Sequence, residues 1–100
     1  MLDFAYHPDA EADYEESYTW YLLRDVSAAE RFRAAIQHGI DRIRNAPDSF
    51  PICEGDCREL ILSDFPFQIV FRQEGVVIQI IAVSHGKRRR GYWRRRVNPR

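Results

Sequence analysis

The sequence predicts one α+β domain with the order β-α-α-β-β-β, a helical hairpin packed on a small, mostly antiparallel sheet. Three observations carry this expectation. Tyr14, Tyr18, Tyr21 and Leu22, and then Phe32, Ile36, Ile40 and Ile43, recur at helical spacing. Phe67, Ile69 and Phe71 alternate with Gln68, Val70 and Arg72, the period of a strand. Val76–Val83 is apolar except at Gln79, as a central strand buried on both faces should be. At 100 residues, with 45% hydrophobic and 13% aromatic side chains, the chain can build one core over residues 1–100.

The elements follow in order. Leu2, Phe4 and Tyr6 alternate with Met1, Asp3 and Ala5, a short first strand that His7-Pro8-Asp9 ends. Proline suits the first turn of a helix, and Asp9, Glu11 and Asp13 suit its positive end, so helix one is expected over residues 8–24. Trp20 falls at the edge of its stripe. The N-terminal acids read as dipole partners and solubilising charge. Asp25-Val26 makes a turn. Ser27-x-x-Glu30 has the spacing of a capping box and predicts helix two over 28–46. Gly39 lies beside its stripe, where another element can approach. Asn45-Ala46-Pro47 stops it. Residues 47–57, punctuated by Pro47, Pro51 and Gly55, read as loop. Strands are then expected over 58–63, 67–72 and 76–83, with Gln73-Glu74-Gly75 as a hairpin turn.

Composition excludes several classes. No stretch approaches the roughly 18 apolar residues of a membrane span. The N-terminus lacks the basic and apolar regions of a secretory signal, so a cytoplasmic protein is expected. Cys53 and Cys57 lack two further nearby ligands, and His7, His38 and His85 are scattered. Free thiols, and neither metal nor cofactor, are therefore expected.

The net charge is zero, but its distribution is lopsided. Residues 1–30 hold eight acids and one base, Arg24, whereas residues 84–100 hold eight bases and no acid. The basic segment begins where the most buried strand ends, so a rigid element positions it. Lys87, Arg88, Arg90, Arg94 and Arg96 form an electrostatic footprint for phosphate or an acidic protein. The opposing reading is a solvated tail. Tyr92 and Trp93 argue against that, either as stacking groups or as core residues that pin the segment. His85 has the chemistry of a general acid or base, or of a structural hydrogen bond at a strand end. Arg58 and Arg72 lie on strands and are expected to face the same side as the basic segment.

His7-Pro8-x-Ala10, Trp20-Tyr21, Ala46-Pro47, Phe65-Pro66-Phe67-x-Ile69-Val70-Phe71 and Ala82-Val83-x-His85, followed by Arg88, Tyr92-Trp93 and Arg96, occur in that order along nearly the whole chain. The ordered set resembles the RelE/ParE toxins of type II toxin–antitoxin systems, in their plasmid-stabilisation branch. The resemblance implies a RelE/ParE-like fold, growth arrest, a cognate antitoxin that wraps the surface, and a toxin–antitoxin hetero-oligomer. It implies one of two targets. One branch cleaves messenger RNA on the ribosome without a metal, and His85, Arg88 and Tyr92 would then be catalytic. The other poisons DNA gyrase with no chemistry of its own. Gln68 stands where nuclease members carry an arginine, and Glu59-Leu60-Ile61-Leu62 offers no lysine. Metal-free cleavage needs a base, a phosphate-binding cation and an acid, so these departures favour gyrase. The alternatives are a nucleic-acid-binding module without catalysis, or a degenerate toxin fold that acts only as a binding partner.

Overall fold

The computed structural model describes residues 1–99; Arg100 lies outside the described residues. β1 (Asp3–Tyr6) leads into α1 (Pro8–Leu22), whose N-cap is His7. The His7 Nδ1 accepts from the Asp9 N–H at 3.0 Å, and Pro8 occupies the first helical turn. Tyr14, Tyr18 and Tyr21 form the inward stripe of α1. Tyr14 stacks on Phe32 at 5.8 Å, and Tyr21 meets Phe65 at 5.4 Å.

α2 (Val26–Asn45) begins two residues before the expected start, and the capping box does not form. Asp25 has an extended backbone, and its Oδ1 accepts from the Ser27 N–H at 3.0 Å. Aspartate is thus the N-cap, and Ser27 lies within the first turn. The Ser27 hydroxyl accepts from Arg31 at 2.7 Å, and Glu30 pairs with Arg33 and Tyr18. The stripe of α2 is as expected, with Phe32, Ile36, Ile40 and Ile43 buried. Gly39 lets the helix sit close on the sheet, because a Cβ there would lie 3.0 Å from Ile69 Cδ1.

Residues 47–57 are not simply loop. A 3-10 turn at Pro47–Ser49 precedes β2 (Ile52–Glu54), which pairs antiparallel with β3 (Cys57–Ile61). Gly55, which suggested a loop, forms the turn of this hairpin with Asp56. β4 (Phe67–Glu74) and β5 (Val77–His85) complete a five-stranded sheet of order β1-β5-β4-β3-β2. β1 pairs parallel with β5, and the other pairs are antiparallel.

The register jumps from Val70↔Ala82 to Phe71↔Ile80, which leaves Ile81 as a bulge in β5. The extra residue resets the alternation. Ile78, Ile80 and Val83 join the core under the helices, whereas Ile81 and Ala82 join a second cluster on the opposite face. β5 is thus buried on both faces, as the apolar run predicted. The second cluster contains Cys57, Val70 and Trp93, with Tyr92 and Val97 packed against it. The cover is the C-terminal segment itself, which folds back over the sheet through turns and the short helix α3 (Arg94–Val97). No helix among the described residues is long and apolar enough to cross a membrane.

Candidate target-binding surface at the C-terminal segment

β5 delivers His85 to the start of the basic segment. The Gly86 N–H donates to the Pro66 carbonyl at 2.7 Å, and the Arg88 N–H donates to the His85 carbonyl at 2.9 Å. The His85 ring stands edge-on to Phe67 at 5.0 Å. Its Nδ1 accepts from the Lys87 N–H at 3.0 Å, so the neutral ring carries its proton on Nε2. In that tautomer Nε2 is a hydrogen-bond donor. Lys87, Arg88, Arg89 and Arg90 are all exposed; Arg90 lies near Glu54 and, after Arg94, helps hold its carboxyl down. The Arg88 guanidinium lies 3.9 Å from the centre of the Tyr92 ring, a cation–π contact that holds it in place.

Three residues further on, the same chemistry is turned inward. Trp93 is 6% exposed. Asp13, from α1, takes four donors: the Val83 N–H at 3.1 Å, the Tyr92 hydroxyl at 2.9 Å, and the two Arg96 terminal nitrogens at 2.6 and 3.2 Å. Arg96 also donates to the Ile81 carbonyl at 3.0 Å. The reason lies in the sheet. β1 ends opposite Ile80, so the edge of β5 beyond that point has no strand beside it. Asp13 takes the Val83 N–H and Arg96 serves the Ile81 C=O, so two side chains complete that edge. Burial, then the neighbouring Asp13 carboxylate, push the Tyr92 phenol up to about 12. Tyr92 therefore holds its proton at neutral pH and directs it at Asp13. Arg94 meets Glu54 at 2.6 Å, and this hydrogen bond holds the Glu54 carboxyl below its ordinary range.

The strand arginines lie on opposite faces, contrary to expectation. Arg58 is paired in register with Phe71, whose ring belongs to the core under the helices, and it donates to the Phe50 carbonyl at 2.6 Å. Arg72 alone faces the C-terminal segment, beside Trp93, and contacts Glu74 and Gln79 at 3.2 Å each. Alternation along β3 and β4, once the register is known, separates the two.

Between the sheet and the loop 86–90 lies a groove of about 280 Å³, into which Glu54, Glu59, Gln68, Ser84, Arg88 and Arg90 all project. The Gln68 Oε1 is buried there without a hydrogen-bond partner among the described residues. The groove thus combines two carboxylates with two cations, and among the described residues no carboxylate pairs with His85 to orient it as a base. Cys53 lines the groove as well, and Cys57 is buried across the β2–β3 turn from it. The Cys53 thiol donates weakly to the Cys57 carbonyl at 3.5 Å, and burial pushes the Cys57 thiol up to about 11. Neither is a reactive thiolate at neutral pH.

Sequence reasoning overlooked Asp13 and Glu54. Asp13 was grouped with the other N-terminal acids. Its position three residues after the fully buried Ala10 places it on the inward flank of α1, a signal that charge counting discards.

Comparisons with known proteins agree with this architecture. The family described as ParE toxin of type II toxin–antitoxin system, parDE, matches residues 4–90. Among solved structures, a chain from the chromosomal ParDE toxin–antitoxin system of P. aeruginosa superposes with a TM-score of 0.62 at 23% identity. The match covers 85% of this chain and 96% of that one. At that identity the likeness speaks for the fold. No curated protein sequence matches the chain.

Proposed function

The chain belongs to the ParE toxin family of type II toxin–antitoxin systems, and from that premise we propose that it arrests growth in the bacterial cytoplasm by poisoning DNA gyrase. A cognate antitoxin neutralises it in a toxin–antitoxin hetero-oligomer. Lys87, Arg88 and Arg90 make the target contacts. Arg94, Arg96, Tyr92 and Trp93 hold the segment that presents them, and Arg72 supports its inner face.

One observation favours gyrase over messenger RNA: the chemistry of the groove beside the loop. Cleavage without metal needs a base for the attacking hydroxyl and fixed cations around the phosphate. This groove has Gln68, Ser84, Glu54 and Glu59 on its sheet side, and His85, Arg88 and Arg90 line it from the segment that follows β5. The proton of Tyr92 is committed to Asp13, and the Nδ1 of His85 is occupied by the Lys87 N–H. Binding is well served by such a surface, and bond cleavage poorly.

Expression of the chain alone in a bacterium should stop growth, and co-expression of the adjacent antitoxin gene should restore it. Purified protein should then inhibit gyrase supercoiling or trap cleaved DNA, and leave messenger RNA on ribosomes intact. Codon-positioned cuts without a gyrase effect would reverse the choice of target. Normal growth with verified soluble protein would point instead to a degenerate fold kept for binding.

A further inference from the structure

Trp93 packs in one cluster with Val70 and Ala82, and beside it the same sheet face forms the floor of the groove of about 280 Å³. Strand register arranges that floor. Ile61, Gln68 and Ser84 stand opposite one another across β3, β4 and β5, and Glu59 stands opposite Val70, two residues along the same face. Glu59 and Gln68 are therefore diagonal neighbours, a separation that long side chains bridge. The fold satisfies neither of them. The Gln68 Oε1 is buried without a hydrogen-bond partner, and the half-buried Glu59 closes no ion pair among the described residues. Glu54 differs, because Arg94 takes it at 2.6 Å. A buried acceptor without a donor is costly, so an orphan kept in a groove points to a donor from outside the fold.

The opposite wall has the opposite character. Arg88 and Arg90 line the groove from the segment that follows β5, and Arg88 is set over the Tyr92 ring at 3.9 Å. The acids nearest to them are already compensated, Asp13 by Arg96 and Glu54 by Arg94. Three acceptor oxygens, two of Glu59 and one of Gln68, thus face two cations across one small groove. A ligand that satisfies both walls carries adjacent N–H donors at one end and an anion at the other.

We propose that this groove binds a free guanine nucleotide. Guanine presents its N1–H and the two N2 hydrogens side by side on its Watson–Crick edge. The two Glu59 oxygens take the N1–H and one N2–H, as a bidentate carboxylate does, and the Gln68 Oε1 takes the other. Adenine and cytosine offer one amino group beside a ring nitrogen that a carboxylate repels, and uracil offers one N–H. The phosphates fall to Arg88 and Arg90. A simple amine would satisfy the floor but meet like charge on the other wall. The volume is that of a small-ligand site and suits one nucleotide better than a strand. The inference goes beyond the proposed function and does not rest on the choice of target.

Calorimetric titration of the full chain tests it. Guanosine diphosphate should bind roughly tenfold or more tightly than inosine diphosphate, which lacks the N2 amino group, and than adenosine diphosphate. Glu59→Gln should lower its affinity by a similar factor and shrink its lead over adenosine diphosphate. The Arg88→Ala/Arg90→Ala variant should also weaken guanosine diphosphate, yet leave the binding of guanosine itself unchanged. Thermal melts show whether the variants are folded, and the nucleotide series on the unaltered chain decides even where one is not. Equal affinity for the three diphosphates, no binding at millimolar guanosine diphosphate, or unchanged affinity in a folded Glu59→Gln variant would overturn the proposal and leave the groove to water. A uridine hexamer with one guanosine that binds more tightly than guanosine diphosphate would overturn the assignment to a free nucleotide. The assay reads neither growth nor gyrase. Its failure therefore leaves the toxin reading untouched, and a gyrase assay that fails with nucleotide binding intact does the reverse.

Discussion

Lys87–Arg90 and Arg94–Arg96 are basic runs of similar density, separated only by Gly91, Tyr92 and Trp93, yet the fold treats them oppositely. In the first run all four side chains are exposed, and Arg88 rests on an aromatic ring. In the second, Arg96 is 13% exposed and closes on an Asp13 side chain that is 10% exposed, the more exposed Arg94 closes on Glu54, and Arg95 alone stays exposed without a salt bridge among the described residues. The difference is one of closed ion pairs. The second run passes over α1 and the β2–β3 hairpin, which present carboxylates, and over a sheet edge with open backbone groups. The first run lies beside carboxylates in the groove but closes a salt bridge with none of them among the described residues. A cation is available to a partner only where its own fold has not already paired it.

The sharpest test of this contrast is removal of the anchor that separates the runs. Trp93→Ala should destabilise the domain by about 3–5 kcal/mol, as for a large buried aromatic ring. Urea or thermal unfolding measures it. A loss of less than about 1 kcal/mol would mean that the segment is not part of the fold in solution.

Next comes the ion pair. Asp13→Ala should cost about 2–4 kcal/mol, between the values for exposed and fully buried pairs, because it orphans the Val83 N–H as well as Arg96. Arg96→Ala should cost less, because it leaves Tyr92 to satisfy one Asp13 oxygen. A double-mutant cycle should give a coupling of roughly 1–3 kcal/mol. Additive losses would dissolve the distinction between the two runs.

The pH dependence sharpens the same point. The Tyr92 phenol is raised from 10.0 to about 12, so the fold favours its protonated form. The stabilisation it gives is complete below the unfolded value and is lost as pH rises from 10.0 to about 12. Tyr6, also raised to about 12 by burial, contributes with the same sign. Stability should therefore fall across this alkaline window, and Tyr92→Phe should flatten part of the slope. Unfolding measured at stepped pH, together with ultraviolet difference titration of the phenols, checks this.

The smallest structural effect belongs to the free run. Replacing Lys87, Arg88 and Arg90 together by alanine should change stability by no more than about 0.5 kcal/mol per site. It should nevertheless abolish growth arrest. A fully active triple variant would move the target surface elsewhere on the domain.

The periodicities alone determined most of the architecture. The stripe Phe32/Ile36/Ile40/Ile43, the alternation Phe67/Ile69/Phe71 and the apolar run in β5 each bury what their spacing says they should, because side-chain direction repeats with a fixed local period. The basic segment, and membership of the ParE family that matches residues 4–90, were equally legible. Local chemistry was less decisive where two caps or two turn forms competed: Asp25 displaced Ser27 as the cap of α2, and an acidic loop proved to be the hairpin of β2 and β3. Only the tertiary structure decided which cations are free. Asp13 and Arg96 are 83 residues apart in the chain. They meet because β1 stops opposite Ile80 and leaves a strand edge to be satisfied. No local pattern encodes that meeting, since it depends on where one strand ends beside another and on which helix face then lies above the gap.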